Sequence, residues 1–172
     1  SQGRHMFDRG GDLALLGHAS PRLLARLLQH PYFRRPAPKS AGREQFGSAY
    51  VAAIRRHARG ISAPSQMATL VELTAHTVAR GLRRGGAAAE RAEVIVSGGG
   101  VHNQALMAAL AAALPRCTWR RSDELGVPSQ AKEAIAFAFL GEAHLRGEPA
   151  NLPRVTGARR AVVLGSYTPA PY

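Results

Sequence analysis

The chain has 172 residues, of which 45% are hydrophobic and 20% charged, with 23 Lys and Arg against 11 Asp and Glu for a formal net charge of +12. One domain of about 100 to 200 residues accounts for that length, and a chain of this size buries roughly 70% of its unfolded surface without needing a disulfide or a metal staple. The composition excludes a disordered tail and a collagen-like repeat, and the single Cys117 excludes both an intrachain disulfide framework and an all-thiolate zinc site.

The longest uninterrupted apolar run, Ala105 to Leu114, is far short of the ~20 residues that cross a bilayer, and no apolar targeting segment opens the chain. A soluble, cytoplasmic protein with no membrane partner is expected, with Cys117 a small apolar residue in a reducing compartment. The positive charge is spread as pairs such as Arg34-Arg35, Arg83-Arg84 and Arg159-Arg160, and all but Lys39 and Lys132 of the cations are arginine. A dispersed pattern of this kind reads as coding bias, so no nucleic-acid partner is expected.

Ser1 to Met6 reads as a cloning remnant and Phe7 to Tyr172 as the domain. Asp8 to Gln29 carries two short helical patterns, the second opened by Ser20 as cap and Pro21 in first position, with Leu23, Leu24, Leu27 and Leu28 on one face. A proline-rich loop, Pro31 to Ser40, follows, and a helix is predicted from about Arg43 to His57. Ser65 is the predicted cap of a long helix with Met67, Leu70, Val71, Val78 and Leu82 at helical spacing, ended by Gly85-Gly86. Val94-Ile95-Val96 reads as a buried strand within Glu93 to Ser97. Gly98-Gly99-Gly100 and a helix from Asn103 to Leu114 come next. A second strand over Cys117 to Arg121, a loop from Asp123 to Pro128, a helix from Ser129 to Leu145 with Ala134, Ile135, Ala138 and Phe139 inward, and a last strand over Ala161 to Leu164 complete the prediction. Strands alternating with helices make the fold α/β, with a mainly parallel sheet flanked by helices.

Strand, three glycines, helix is the segment with chemical content. Glycine lets the backbone turn sharply and approach a ligand closely, while the following helix directs unpaired N–H groups to the same place. That arrangement suits a nucleotide, and an ordinary tight turn accounts for it equally well. A P-loop needs Gly-Lys-Ser/Thr, and neither lysine follows a glycine. A dinucleotide-binding fingerprint is closer, since Gly98 and Gly100 precede a helix and Asp123 closes the next strand, but Asn103 stands where the third glycine belongs. The seven histidines fall at no metal-ligand spacing, so no metal site is expected from the protein alone. Ser129-Gln130-Ala131-Lys132 has the Ser-x-x-Lys spacing of an acyltransferase nucleophile without its companion motifs and reads as a capped helix start. His76 and His144 read as surface or partly buried helix histidines.

Six blocks, in order, carry a resemblance. Ser97-Gly98-Gly99-Gly100-Val101-His102-Asn103 with Leu106-Met107, Asp123-Glu124-Leu125-Gly126-Val127-Pro128, Lys132-Glu133-Ala134-Ile135-Ala136-Phe137-Ala138 and Asn151-Leu152-Pro153-Arg154-Val155-Thr156-Gly157-Ala158 resemble the C-terminal half of the anhydro-N-acetylmuramic acid kinase family. Pro38-Lys39-Ser40-Ala41-Gly42-Arg43-Glu44 and Thr69-Leu70-Val71-Glu72-Leu73-Thr74-Ala75 are similar to two upstream blocks of that family, with Ala41 where a threonine is usual.

The resemblance implies an RNase H-like lobe of the actin, sugar-kinase and Hsp70 superfold, with ATP in the cleft between two lobes. It implies ATP- and Mg²⁺-dependent phosphorylation of 1,6-anhydro-N-acetylmuramic acid at O6, with water opening the anhydro bridge at C1 in cell-wall recycling. By the same resemblance Gly98, Gly99, Gly100 and Asn103 fall on the adenosine side, where Asn103 also suits a helix cap. Glu133 becomes a candidate contact to the sugar or the attacking water, and a solvated helix residue otherwise. Lys39, Ser40 and Arg43 are a basic cluster that serves loop anchoring or substrate contact, and Asn151 to Thr156 is a structural wrap. The family's Gly-Thr-Ser and Asp-Thr-Gly-Pro loops, around which the general base is expected, are absent from this sequence. The chain alone is therefore expected to be silent or nearly so, with the N-terminal lobe or a second copy as partner. A non-catalytic nucleotide-binding or interaction module, and a dinucleotide-binding domain dependent on Asp123, are the alternatives.

Overall fold

The computed structural model describes residues 7–36, 39–86 and 88–169. Its helices are α1 (Asp12–Leu15), α2 (Pro21–Leu28), α3 (Pro31–Arg34), α4 (Arg43–Phe46), α5 (Ser48–His57), α6 (Ala63–Arg83), α7 (Gln104–Ala113), α8 (Lys132–Leu145) and α9 (Pro153–Thr156). Its strands are β1 (Glu93–Val96) and β2 (Thr118–Arg121). The two strands pair in parallel, Glu93 opposite Thr118 and Val96 opposite Arg121, with α7 as the crossover, so the architecture is α/β with a small parallel sheet.

The core forms where α2, α5 and α6 meet. Ser20 caps α2 by accepting from the Leu23 N–H at 3.3 Å, and Pro21 takes the position whose N–H has no helical partner. That start sets Leu23 and Leu27 inward against Ile54, Ala58 and Leu73. Burying a leucine side chain contributes about 1.5–3 kcal/mol, so these few residues carry much of the domain's stability. Thr69, fully buried on α6, accepts from the Ser20 N–H at 2.9 Å and donates to the Ser65 carbonyl at 2.6 Å, tying the start of α2 to α6. Beside this core, His30, Tyr32, Phe33, Phe46 and Tyr50 stack at centroid separations of 5.0–6.0 Å, fixing α3 and α4 against α5.

Helix α6 is the axis against which α1, α2 and α7 pack. Its buried positions are Thr69, Leu73, Ala75 and Ala79, three of them small enough to admit close neighbours, whereas Val78 of the predicted face is exposed and Met67, Leu70 and Val71 are half-buried. The cap is Ser62, whose Oγ accepts from the Ser65 N–H at 3.3 Å, and not Ser65. Pro64 explains the earlier start, because a proline is accommodated in the first turn. The single helix predicted over Arg43 to His57 is two, broken at Gly47, whose extended backbone is tight enough that a Cβ there would overlap the Arg43 carbonyl. Pro31 opens α3 where a loop was expected; Pro38 lies outside the described residues.

Further corrections concern the second half. Ile95 is half exposed, so the Val94-Ile95-Val96 strand is not buried: a two-stranded sheet leaves one of its faces uncovered. Helix α8 begins at Lys132 without a side-chain cap, and Ala134, Ile135, Ala138 and Phe139 face solvent because no element covers that side of the helix. Ala161 to Leu164 is not a strand. It is held alongside residues 150–151 by the Asn151 side chain, which accepts from Val162 N–H at 2.7 Å and donates to the Arg160 carbonyl at 3.0 Å. His144, half-buried on α8, makes a 2.8 Å hydrogen bond through Nδ1 with the Leu164 carbonyl, and His76 is exposed. No helix of the described residues is long and apolar enough to cross a membrane.

Candidate functional site

The chain leaves β1 into the three glycines. Gly98 has φ +86°, a conformation that favours glycine, and its N–H donates to the Ser129 carbonyl at 2.9 Å. Gly99 to His102 form a 3-10 turn with Val101 buried beneath it, and the Asn103 N–H donates to the Gly100 carbonyl at 3.1 Å. A Cβ built on Gly98 or Gly99 meets nothing within 4 Å, and one on Gly100 meets only Leu106 at 3.5 Å. The glycines are therefore not required by close packing of the protein on itself. They leave an open stretch of main chain at the end of a strand of a parallel sheet, the position at which α/β folds take their ligands.

Asn103 caps α7, its Oδ1 accepting from the Leu106 N–H at 2.9 Å. The same amide packs on Gly11, where φ is +82° and a Cβ would overlap Asn103 Oδ1. Asp8 holds that neighbouring segment by accepting from the Leu13 and Ala14 N–H groups at 2.9 and 3.1 Å. The turn at residues 8–11 thus buttresses the cap, a long-range contact that the Asp-x-Gly-Gly pattern hints at only through its paired glycines.

On the other side of the turn, Ser129 is locked to Asp123. The Ser129 hydroxyl donates to Asp123 Oδ2 and its N–H to Oδ1 at 3.1 Å. These two donors hold the Asp123 carboxyl below its usual range. Ser129 is a buried fastener of this loop and not the helix cap the sequence indicated, nor does its committed hydroxyl offer a nucleophile. Each oxygen of Asp123 accepts one hydrogen bond from Ser129, so the carboxylate anchors this loop while remaining exposed. Gln130 Nε2 lies 3.5 Å from His102 Nε2, closing the rim.

Arg120 braces the far end of the sheet, donating to Glu93 Oε1 at 3.0 Å and Glu124 Oε2 at 3.4 Å. The Arg121 N–H donates to Glu124 Oε1 at 2.8 Å and, with Arg120, lowers the Glu124 carboxyl. Cys117 donates its thiol to the Glu90 carbonyl at 3.3 Å.

Gly98, Gly99, Gly100 and Asn103 therefore lie in one turn, tied to the loop before α8 by the Gly98–Ser129 hydrogen bond. Glu133 sits in the first turn of α8, three residues beyond Gln130, exposed and without a hydrogen-bond or ion-pair partner among the described residues. Lys39 lies elsewhere: its Nζ donates to the Tyr32 carbonyl at 3.0 Å and stands 4.5 Å over the Tyr32 ring, anchoring the proline loop. Desolvation, then Arg84, Arg80 and Arg35, lower its ammonium pKa. Ser40 and Arg43 are exposed. Among the described residues no three His, Cys, Asp or Glu side chains gather as a metal site.

A family model described as anhydro-N-acetylmuramic acid kinase matches residues 1–170. The chain is 46% identical over 167 residues to an anhydro-N-acetylmuramic acid kinase of Streptomyces coelicolor, covering 97% of this chain and 42% of that one. It is 43% identical over 164 residues to the like-named protein of Shewanella amazonensis, covering 95% and 44%. It is 44% identical over 173 residues to that of Bordetella avium, covering 98% and 44%. The chain spans less than half the length of these curated relatives.

Proposed function

Because the chain belongs to the anhydro-N-acetylmuramic acid kinase family, we propose that it is the C-terminal, RNase H-like lobe of an ATP-dependent sugar kinase. In this reading the whole enzyme phosphorylates 1,6-anhydro-N-acetylmuramic acid at O6 while water opens the anhydro bridge, giving N-acetylmuramic acid 6-phosphate in the cytoplasm. The observation that carries it is the open glycine turn. A Cβ at Gly98 or Gly99, at the carboxyl end of β1, would meet no atom of the described residues within 4 Å.

The glycines would take the adenosine side of ATP, and Asn103 would set the turn by capping α7. The fit is to a nucleoside: absent side chains admit a flat ring close to the backbone. Glu133, unpaired at the start of α8, would reach the sugar or the attacking water. For Mg²⁺ the described residues offer no carboxylate cluster, so the metal would rest on the nucleotide's phosphates and on residues beyond this chain. Phosphoryl transfer is positioning and charge stabilisation around the β- and γ-phosphates, and no Gly-Thr-Ser or Asp-Thr-Gly-Pro loop occurs in the sequence. The chain by itself is therefore silent or nearly so.

The exposed first turns of α8, with Phe137 and Phe139 72% and 67% accessible, support a partner surface. The missing lobe would cover it, or a second copy when that lobe is absent. A coupled assay of ADP release with the anhydro-sugar tests the reading. Background rates are expected for the chain alone, and turnover at ordinary kinase rates of ~1–100 s⁻¹ would show that the missing half is dispensable.

A further inference from the structure

Between α2 and the end of α5 lies a second concavity, a cleft of about 660 Å³ that shares no residue with the glycine turn. Arg22, Arg26 and Gln29 line it from α2, and Arg56, His57 and Arg59 line it from α5 and the turn that follows. No Asp or Glu is among its lining residues. The ion pairs of the described residues engage Arg83, Arg120 and Arg146, and none engages these four arginines.

Such crowding is unfavourable without a counter-charge. Arg22 and Arg26 stand one helical turn apart, a like-charge spacing that costs helix stability, and Arg22 lies in the first turn of α2, where the helix dipole is also positive. Arg56 and His57 are partly balanced by the C-terminal end of α5. Arg26 is already oriented, its NH1 donating to Gln29 Oε1 at 3.1 Å. The cleft falls within the roughly 300–1,000 Å³ typical of small-molecule sites.

We propose that this cleft binds a compact multivalent anion of linked phosphate groups. Guanidinium groups match phosphate oxygens through paired hydrogen bonds, and four of them on two helices call for charge spread over more than one phosphate. Of the four cations, a single dianionic phosphate would leave half uncompensated and a single carboxylate three-quarters. Another basic concavity, lined by Lys39, Arg80 and Arg84, shares no residue with this cleft.

Isothermal titration calorimetry of the chain with inorganic tripolyphosphate and, separately, orthophosphate and ADP tests the proposal. Saturable one-to-one tripolyphosphate binding is expected, at least tenfold tighter than orthophosphate. The double substitution R26Q/R56Q should weaken it at least tenfold with the melting temperature retained, and the single substitution Arg59→Gln should weaken it independently should the double variant fold poorly. Arg154→Gln, on α9 and outside the cleft, should change nothing. If tripolyphosphate binding is confirmed, loss of ADP affinity in R26Q/R56Q includes nucleotides in the ligand class, and its retention restricts the cleft to inorganic chains. Non-saturable heats, or equal weakening by Arg154→Gln, would overturn the proposal by showing only diffuse attraction to a protein of net charge +12.

Discussion

The Gly98 N–H donates to the Ser129 carbonyl at 2.9 Å, which ties the turn after β1 to the loop that leads into α8. Backbone of this kind is fixed without using side chains, which leaves the outer surface of the turn free. Gly99 is the residue at which that freedom can be removed without touching the fold, because its φ is not positive and a Cβ there meets nothing within 4 Å. Gly99→Leu should retain the melting temperature within the ±0.5 kcal/mol usual for surface changes and abolish adenine-nucleotide binding, read by calorimetry and thermal unfolding together. Unaltered nucleotide affinity in this variant would remove the turn from the site.

Asp123 supports the other side of the turn, and its carboxyl is held below the ordinary value of about 3.9 by the Ser129 hydroxyl and N–H. A depressed folded-state pKa means that the native state binds fewer protons than the unfolded chain. The contribution is present above the ordinary pKa and is lost as the pH falls through the lowered one. Asp123→Asn should therefore melt below wild type at pH 7, with the gap closing on acidification from about pH 5 downward. Melting temperatures across that range check it; a gap constant with pH would mean that packing, not charge, makes the difference.

Thr69 joins α6 to the start of α2 through one accepted and one donated hydrogen bond while fully buried. Thr69→Val keeps the volume and leaves the Ser20 N–H without its partner. Equilibrium denaturation should show a loss of about 1–3 kcal/mol, the cost of stranding a buried polar group.

Tyr50 presents the opposite case. Its ring belongs to the aromatic cluster, but its buried hydroxyl has no hydrogen-bond partner among the described residues and burial raises its pKa. Removing only the hydroxyl, as in Tyr50→Phe, should leave stability unchanged or increase it by up to about 1 kcal/mol. A marked loss in the denaturation curve would reveal a partner for that oxygen.

On α8, Phe137 and Phe139 are exposed, so replacing both with serine should change unfolding free energy by no more than about 0.5 kcal/mol per site. In the proposed reading, in which a second copy covers α8 when the other lobe is absent, the same variant should shift the chain toward monomer in sedimentation or light scattering.

Local chemistry was the legible part of this sequence. The Ser20-Pro21 start, the Asn103 cap, the short strands at residues 93–96 and 118–121 and the glycine turn between strand and helix all follow from side chains acting within a few residues of themselves. Errors arose where a segment's environment decides its burial. Ile135 and Phe139 look inward by periodicity, but periodicity names a face without supplying the surface that covers it. The same reason undoes the Ala161 to Leu164 strand, whose β-branched residues find an asparagine side chain instead of a strand to pair with. The break at Gly47 and the Asp123–Ser129 lock depend on close approaches that no spacing rule encodes. In the glycine turn, sequence left open whether the residues served a tight turn or a ligand; the positive φ of Gly98 meets the needs of the turn, and the uncovered Cβ positions of Gly98 and Gly99 leave room beside it.

Titration of the ¹⁵N-labelled chain with ADP, followed by amide chemical shifts, tests the central claim most directly. The account predicts saturable shifts centred on Gly98, Gly99, Gly100 and Asn103, extending to Ser129 and Gln130. Saturable shifts confined to other parts of the molecule, or none at millimolar ADP, would contradict it.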